Sequence, residues 1–177
     1  MVGMFFVGLV LVALFSSGAV GVVLATRTAA PEPKQSPGAA ESAERAEVTA
    51  RFQQIMRQRQ EALRRLDPRL LHAIYTPDSP QLRKDRNEIQ TLRRKRERWV
   101  GLELPVSILQ ARADSHRRWT VVALLGRSDT RLETNSGELI RKVDGNRQVY
   151  WCTMVKDPGR GWLLLKLTPP ESLQSPR

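Results

Sequence analysis

The stretch Leu66-Asp67-Pro68-Arg69-Leu70-Leu71-His72-Ala73-Ile74-Tyr75-Thr76-Pro77-Asp78-Ser79-Pro80 decides how the rest of the chain is read. Asp67 before Pro68 has the form of a helix N-cap followed by proline at the first helical position, where the missing N–H is lost to no partner. Ser79 before Pro80 repeats the device. The passage therefore ends one helix, carries a short second helix through Leu70, Leu71, Ile74 and Tyr75, stops before Pro77, and opens a third.

Working outward toward the N-terminus, Val48, Phe52, Ile55, Ala62, Leu63 and Leu66 recur at helical spacing between Arg and Gln residues. The period predicts a long amphipathic helix over 44–65. Toward the C-terminus, Leu82, Ile89, Leu92 and Trp99 give the third helix its apolar face, and Arg93, Arg94, Lys95, Arg96 and Arg98 crowd its outer face, relieved by Glu97. After Gly101 the period becomes two. Leu102, Leu104, Val106 and Ile108 alternate with Glu103, Pro105 and Ser107, a half-buried strand whose proline suits a sheet edge. Trp119 to Leu125 reads as a second strand buried on both faces near its centre. Asn135-Ser136-Gly137 and Asp144-Gly145 are hairpin signals, and Val149 to Val155 and Trp162 to Leu167 form a final pair joined by Asp157-Pro158-Gly159. The expected fold class is α+β, with three helices packed on one face of a curved antiparallel sheet of four to six strands.

Ahead of this domain, Met1 to Ala25 carries no charged side chain and is long enough to cross a bilayer as a single helix. It is expected to be a retained anchor, since the apolar run exceeds a secretory h-region, although Val23-Leu24-Ala25 and Thr28-Ala29-Ala30 both suit signal peptidase. Ala13, Ser17, Gly21 and Ala25 recur every fourth residue, a smooth stripe on which two such helices, and hence a homodimer, could pack. Residues 26–43 are rich in Pro, Ala and small polar types without a large apolar side chain and read as a flexible linker. The domain is expected over 44–169, with a disordered tail at 170–177. The positive-inside count, with Arg27, Lys34, Arg45 and Arg51 all following the segment, taken alone leaves the domain in the cytoplasm. The linker acids Glu32, Glu41, Glu44 and Glu47 weaken that count, and by analogy with signal-anchored domains a single-pass cell-membrane protein with an extracytoplasmic domain is expected.

The chain holds 29 Lys and Arg against 18 Asp and Glu, a net charge of +11, and residues 51–98 contribute +8 of it. Such a local excess points to anionic surroundings. Nucleic acid is disfavoured because Trp99 is the single aromatic near the basic run and carries a core-like spacing. Cys152, the only cysteine, lies in the apolar run Val149-Tyr150-Trp151-Cys152-Thr153-Met154-Val155 and is expected in the core. Two histidines and one cysteine supply no Cys/His zinc set, and no motif calls for a cofactor.

The quoted passage and the terminal Gly161-Trp162-Leu163-Leu164 resemble the nuclear transport factor 2-like (SnoaL-like, cystatin-like cone) superfamily over roughly residues 44–169. That resemblance implies a cone-shaped domain, a fold hosting isomerases, cyclases, dehydratases and binding modules alike. Enzymatic members place Asp, His or Tyr inside the cone to move a proton. Here His72 and Tyr75, one turn apart, are the candidates, and His116 falls in a polar turn. Glu103 alternates outward, and Asp114, Asp129 and Asp157 belong to turns, so no general base is expected on the inner strand faces. The sequence therefore favours a non-catalytic binding or assembly module of the cell envelope, anchored in the bilayer through residues 1–25 and contacting another membrane or envelope protein. The first alternative is a basic surface of Arg93, Arg94, Lys95, Arg96 and Arg98 on anionic lipid headgroups; the second is a small-molecule enzyme.

Overall fold

The computed structural model describes residues 37–169. The anchor expected at 1–25, its stripe of Ala13, Ser17, Gly21 and Ala25, and the tail at 170–177 lie outside the described residues. Among those described, no helix is long and apolar enough to cross a membrane.

Helix α1 runs from Pro37 to Arg65, starting seven residues before the expected Glu44 and inside the stretch read as linker. Ala and Glu at 39–47 favour the helix without any apolar face to announce it. Burial begins at Val48 and continues through Phe52, Ile55, Met56, Ala62 and Leu63. The helix closes with Leu66 at φ 54, and the Asp67 N–H donates back to the Ala62 carbonyl at 2.9 Å. Asp67 caps the next element as read, accepting from the Arg69 N–H at 3.0 Å, but Pro68–Ala73 is a 3-10 turn rather than an α-helix. The eight residues between Pro68 and Pro77 give too little length for an α-helix to nucleate.

Helix α2 spans Pro80–Lys95 and stops one turn earlier than its apolar period suggests. Arg96 takes a left-handed conformation at φ 55, and the chain leaves as strand β1, Glu97–Val100. Trp99 is therefore a strand residue opposite Leu132, and Arg98 faces Glu133 on the neighbouring strand. The basic run expected on one helix face is split between a helix end and a strand. An arginine in place of glycine or asparagine at the left-handed position hid the boundary.

The remaining strands are β2 Val106–Ser115, β3 Arg118–Arg127, β4 Thr130–Thr134, β5 Leu139–Val143, β6 Asn146–Asp157 and β7 Gly161–Thr168. The expected strand at 102–108 is replaced by β2, which starts four residues later. Leu102 to Pro105 instead run along the helix side, where the Leu104 N–H donates to Gln60 Oε1 at 2.8 Å. Among the described residues the seven strands form two antiparallel sheets, β1-β4-β5 and β2-β3-β6-β7, in place of one sheet of four to six. Asn135-Ser136-Gly137 makes the β4–β5 hairpin, whereas Asp144-Gly145 carries the chain from one sheet to the other. The Gly145 N–H donates to Asp129 Oδ1 at 2.7 Å, and a Cβ there would meet the Arg127 carbonyl at 2.8 Å, so glycine is required for the close crossing.

Strand β3 alternates cleanly, with Trp119, Val121, Ala123 and Leu125 buried and their neighbours half-exposed, so it is covered on one face and not two. Its inner residues meet α1 and α2 together with Cys152 and Met154 of β6 and Leu164 of β7. Cys152 is fully buried, as read, and burial pushes its thiol up to about 12. Register breaks at Ile108/Gln110, Ala113/Ser115 and Thr153/Met154 add the local bends that curve the sheet around α1. The helices are fastened through Arg51, which donates to the Trp162 carbonyl at 3.1 Å and the Ala73 carbonyl at 3.0 Å. A parallel bridge between Tyr75 and Leu164 adds to this, with the Leu164 N–H donating to the Ile74 carbonyl at 2.9 Å.

Candidate functional site

Two helix stripes each contain one charged residue where an apolar one is due. In α1 the order Phe52, Ile55, Arg59, Ala62 keeps the helical spacing, and in α2 the order Leu82, Asp85, Ile89, Leu92 does the same. The helices bring these two side chains together beneath the sheet. Arg59 Nε donates to Asp85 Oδ2 at 2.7 Å and Arg59 Nη2 to Asp85 Oδ1 at 2.9 Å, a two-pronged pair. Tyr75 Oη donates to Asp85 Oδ2 at 2.7 Å and Gln81 Nε2 to Oδ1 at 2.6 Å. Asp85 is fully buried and all four contacts are donors to it.

The expectation on acidic side chains concerned the strands, and it passed over Asp85, which enters the core from α2. Asp85 comes from a helix rather than a strand, and its place in the α2 stripe was the signal available. Its electrostatics follow from those contacts. Burial alone would raise the Asp85 pKa, but the Arg59 charge and the hydrogen bonds from Arg59, Tyr75 and Gln81 outweigh it and hold the carboxyl below its ordinary value. For Arg59 burial acts downward and is overcome by the charges of Tyr75 and Asp85 and the Asp85 hydrogen bonds, leaving the guanidinium more firmly protonated. Burial, with Asp85 beside it, pushes the Tyr75 phenol well up.

A group whose folded pKa is depressed stabilises the fold above its unfolded pKa and loses that contribution as pH falls through the folded value. Stability measured by urea unfolding is therefore expected to fall as pH drops below about 4, the ordinary range for Asp. Asp85→Asn should show a shallower acid decline. An unchanged slope in that variant would remove Asp85 from the account, since half-buried Asp67 and Asp157, also held low by their arginine neighbours, would then explain the whole limb.

Above the pair lies a cavity of about 410 Å³ between the helices and one end of the large sheet. Its helix wall presents Met56, Arg59 and Leu63 from α1 and Gln81, Lys84 and Glu88 from α2. The sheet wall presents Leu125, Gly126 and Arg127 from β3 and Asn146, Gln148 and Tyr150 from β6, with Leu102, Leu104, Leu167 and Pro169 completing the rim. Leu125, Arg127, Gln148 and Asn146 share the inner face because Leu125 pairs with Gln148 and Arg127 with Asn146. Glu88 is a second carboxylate that the sequence reading did not place at a cavity; its Oε1 accepts from Trp99 Nε1 at 2.9 Å. Arg127 lies with its guanidinium carbon 5.5 Å from the centre of the same Trp99 ring.

The residues expected to form a site do not meet. Tyr75 is buried and bonded to Asp85, whereas His72, one turn earlier, is exposed and in contact with Arg86 Nη2 at 2.9 Å. The 3-10 turn ends at Ala73, and Ile74, at φ -120, breaks its phase, so Tyr75 turns inward with Leu71 and Ile74 while His72 stays outside. His116 is exposed in the β2–β3 turn. Arg93, Arg94, Lys95 and Arg96 are exposed at the end of α2, and Arg98 stands 3.9 Å from Glu133 on β1. Among the described residues no group of His, Cys, Asp and Glu is arranged to hold a metal ion.

No family model matches the sequence, and no curated protein matches it. Solved structures do resemble the described domain. The intermembrane space region of the chloroplast protein ARC6 aligns over 73% of this chain and 96% of its own, at 14% identity and a TM-score of 0.53. A conserved protein from Planctomyces limnophilus aligns over 71% and 99% at 14% identity and TM-score 0.48. A nuclear transport factor 2-like superfamily protein from Salmonella enterica serovar Typhimurium aligns over 70% and 89% at 13% identity and TM-score 0.46. At such identities the likeness is one of fold. A long helix and a short turn-linked second helix, wrapped by a bulged antiparallel sheet, are the α+β arrangement in which this chain resembles the ARC6 region.

Proposed function

We propose that the chain is a non-catalytic binding or assembly module, anchored in a cell membrane through residues 1–25 with its domain on the extracytoplasmic side, and that it pairs with a second copy through the outer face of the large sheet. One observation carries this reading. The helices cover the inner face of β2-β3-β6-β7, and the outer face presents Val122 and Leu124 of β3 beside Trp151 and Val149 of β6, all half-exposed. Val122 stands opposite Trp151 and Leu124 opposite Val149, so the four form one apolar block. Arg112 on β2 and Lys166 on β7 border it. An apolar centre with an aromatic anchor and a charged rim is the composition of a protein–protein contact.

The cavity supports the non-catalytic reading. Asp85 has four donors on it and is held ionised and enclosed, so it is poorly set up to accept a proton. Glu88 does reach the cavity, but no Ser, Cys or His lines the wall beside it to complete a nucleophile and base.

The test is the mass of the full chain in nonionic detergent by sedimentation equilibrium. Two copies per particle are expected, with Trp151→Arg weakening the pair by about thirtyfold or more, the loss of a central aromatic anchor. A monomeric parent, or a pair that survives Trp151→Arg, removes the sheet face from the proposal; the second result assigns pairing to the anchor stripe.

A second reading rests on the α2 terminus, where Arg93, Arg94, Lys95 and Arg96 are exposed and hold no ion pair among the described residues. Near an anionic surface each contributes about 1 kcal/mol. Binding to anionic vesicles that disappears when Arg93, Arg94 and Lys95 are all changed to glutamine supports it, and equal binding to neutral vesicles discards it.

A further inference from the structure

The charges around the cavity do not cancel. Arg59 is matched by Asp85 behind it, which leaves Lys84 and Arg127 against the single carboxylate of Glu88. Glu88 is already engaged by the Trp99 indole. Neither Lys84 nor Arg127 has a carboxylate or hydrogen-bond acceptor for its side chain among the described residues. For Arg127 the omission is specific, because its Nε is buried from solvent and still has no partner. A guanidinium donor shut away from water is normally satisfied, so an unmatched one in a cavity wall marks the place of an absent acceptor.

The guanidinium is also held in position. It lies over the Trp99 ring, and that ring is fixed in turn by its bond to Glu88. A planar fork fixed against an aromatic face is suited to a carboxylate, which can take two of its N–H groups at once. Around it the wall changes character: Leu63, Leu102, Leu104, Leu125 and Leu167 supply an apolar lining, and the Asn146 and Gln148 amides and the Tyr150 hydroxyl lie on the Arg127 side of the sheet wall. The volume of about 410 Å³ falls within the roughly 300–1,000 Å³ typical of small-molecule sites.

We propose that this cavity binds a small organic acid with an apolar body, its carboxylate on Arg127 with Lys84 adding charge at the mouth, and its body against the leucine lining. The inference goes beyond the assembly reading and does not depend on it. The cavity belongs to one chain, so its occupancy is read identically in a monomer or a pair, and the two proposals fail separately.

The test is calorimetric titration of the full chain in nonionic detergent with 2-naphthoate and with its neutral counterpart 2-naphthamide. One naphthoate per chain is expected, with the amide about tenfold weaker, the worth of one charge-assisted contact. Arg127→Gln should bring the two probes to within about threefold of each other, because the charged fork is gone. Arg127→Lys, which keeps the charge and loses the fork, should retain a preference for the acid. Lys84→Gln is exposed enough to leave folding alone and should weaken naphthoate more than naphthamide. Equal binding of acid and amide to the parent chain overturns the proposal, as does a full preference surviving in Arg127→Gln. Should Arg127→Gln fail to fold, an acid preference untouched in both Arg127→Lys and Lys84→Gln overturns it equally.

Discussion

Replacing Asp85 by alanine is expected to cost about 3–5 kcal/mol of folding stability, the range for removing one partner of a buried ion pair. The loss reaches beyond one contact. Arg59 keeps its charge in a site where its side chain is 16% exposed, the Tyr75 hydroxyl loses the acceptor it holds at 2.7 Å, and Gln81 loses the oxygen it holds at 2.6 Å. Tyr75→Phe should cost less, about 1–2 kcal/mol, since Arg59 and Asp85 still satisfy each other. Replacing both charges together, as Arg59→Met with Asp85→Leu, should recover most of the loss, because the large penalty comes from the charge left behind. Urea unfolding followed by near-ultraviolet circular dichroism checks all three. A double variant as unstable as Asp85→Ala alone would mean that the pair is worth far more than its desolvation cost.

Trp119→Ala should be comparably damaging, at about 3–5 kcal/mol. Trp119 is fully buried on the inner face of β3, between Ala113 of β2 and Met154 of β6, so the cavity left by the indole lies where the sheet meets the helices. Its Nε1 is buried without a hydrogen-bond partner among the described residues. That detail separates two substitutions. Trp119→Phe loses part of the packing but also removes an unmatched donor, and is expected to cost about 1–2 kcal/mol. A phenylalanine variant as unstable as the alanine one would show that the indole N–H is satisfied after all.

Both predictions draw on residues that the sequence displayed unequally. The strand around Trp119 was legible as a strand, but its unbroken apolar run Val121 to Leu125 hid the alternation of a half-covered strand and read as burial on both faces. The buried pair was also written in the sequence, as Arg59 and Asp85 interrupting the stripes Phe52–Ile55–Ala62 and Leu82–Ile89–Leu92. Attention to strand positions alone passed over it. A charge inside an apolar stripe is a stronger signal than a histidine near a tyrosine, since it predicts a partner of opposite sign on a facing helix.

Other features had no local signal. The end of α2 at Lys95 depends on Arg96 in a left-handed conformation that arginine adopts only when packing demands it, here so that Trp99 can pair with Leu132 and bond to Glu88. Of the small sheet, β1 was read as the end of the third helix and β4 and β5 as hairpin signals alone, because the outer strand Leu139–Val143 is largely exposed and its burial pattern carries no alternation. The cavity wall is likewise non-local: Arg59, Lys84, Arg127 and Gln148 come from four elements.

By itself the sequence determined the α+β class of fold, the long first helix, the two proline-led helix starts, the final strand pair and the buried Cys152. These follow from periodicity and from backbone constraints acting within a few residues. Only the tertiary structure decided that the strands divide into two sheets, that the basic run is broken at Arg96, that Asp85 is consumed by Arg59 and Tyr75, and that Arg127 remains without an acceptor at a cavity. Each of those is a pairing between residues distant in the chain, and a pairing exists only once the elements that carry its two halves have packed.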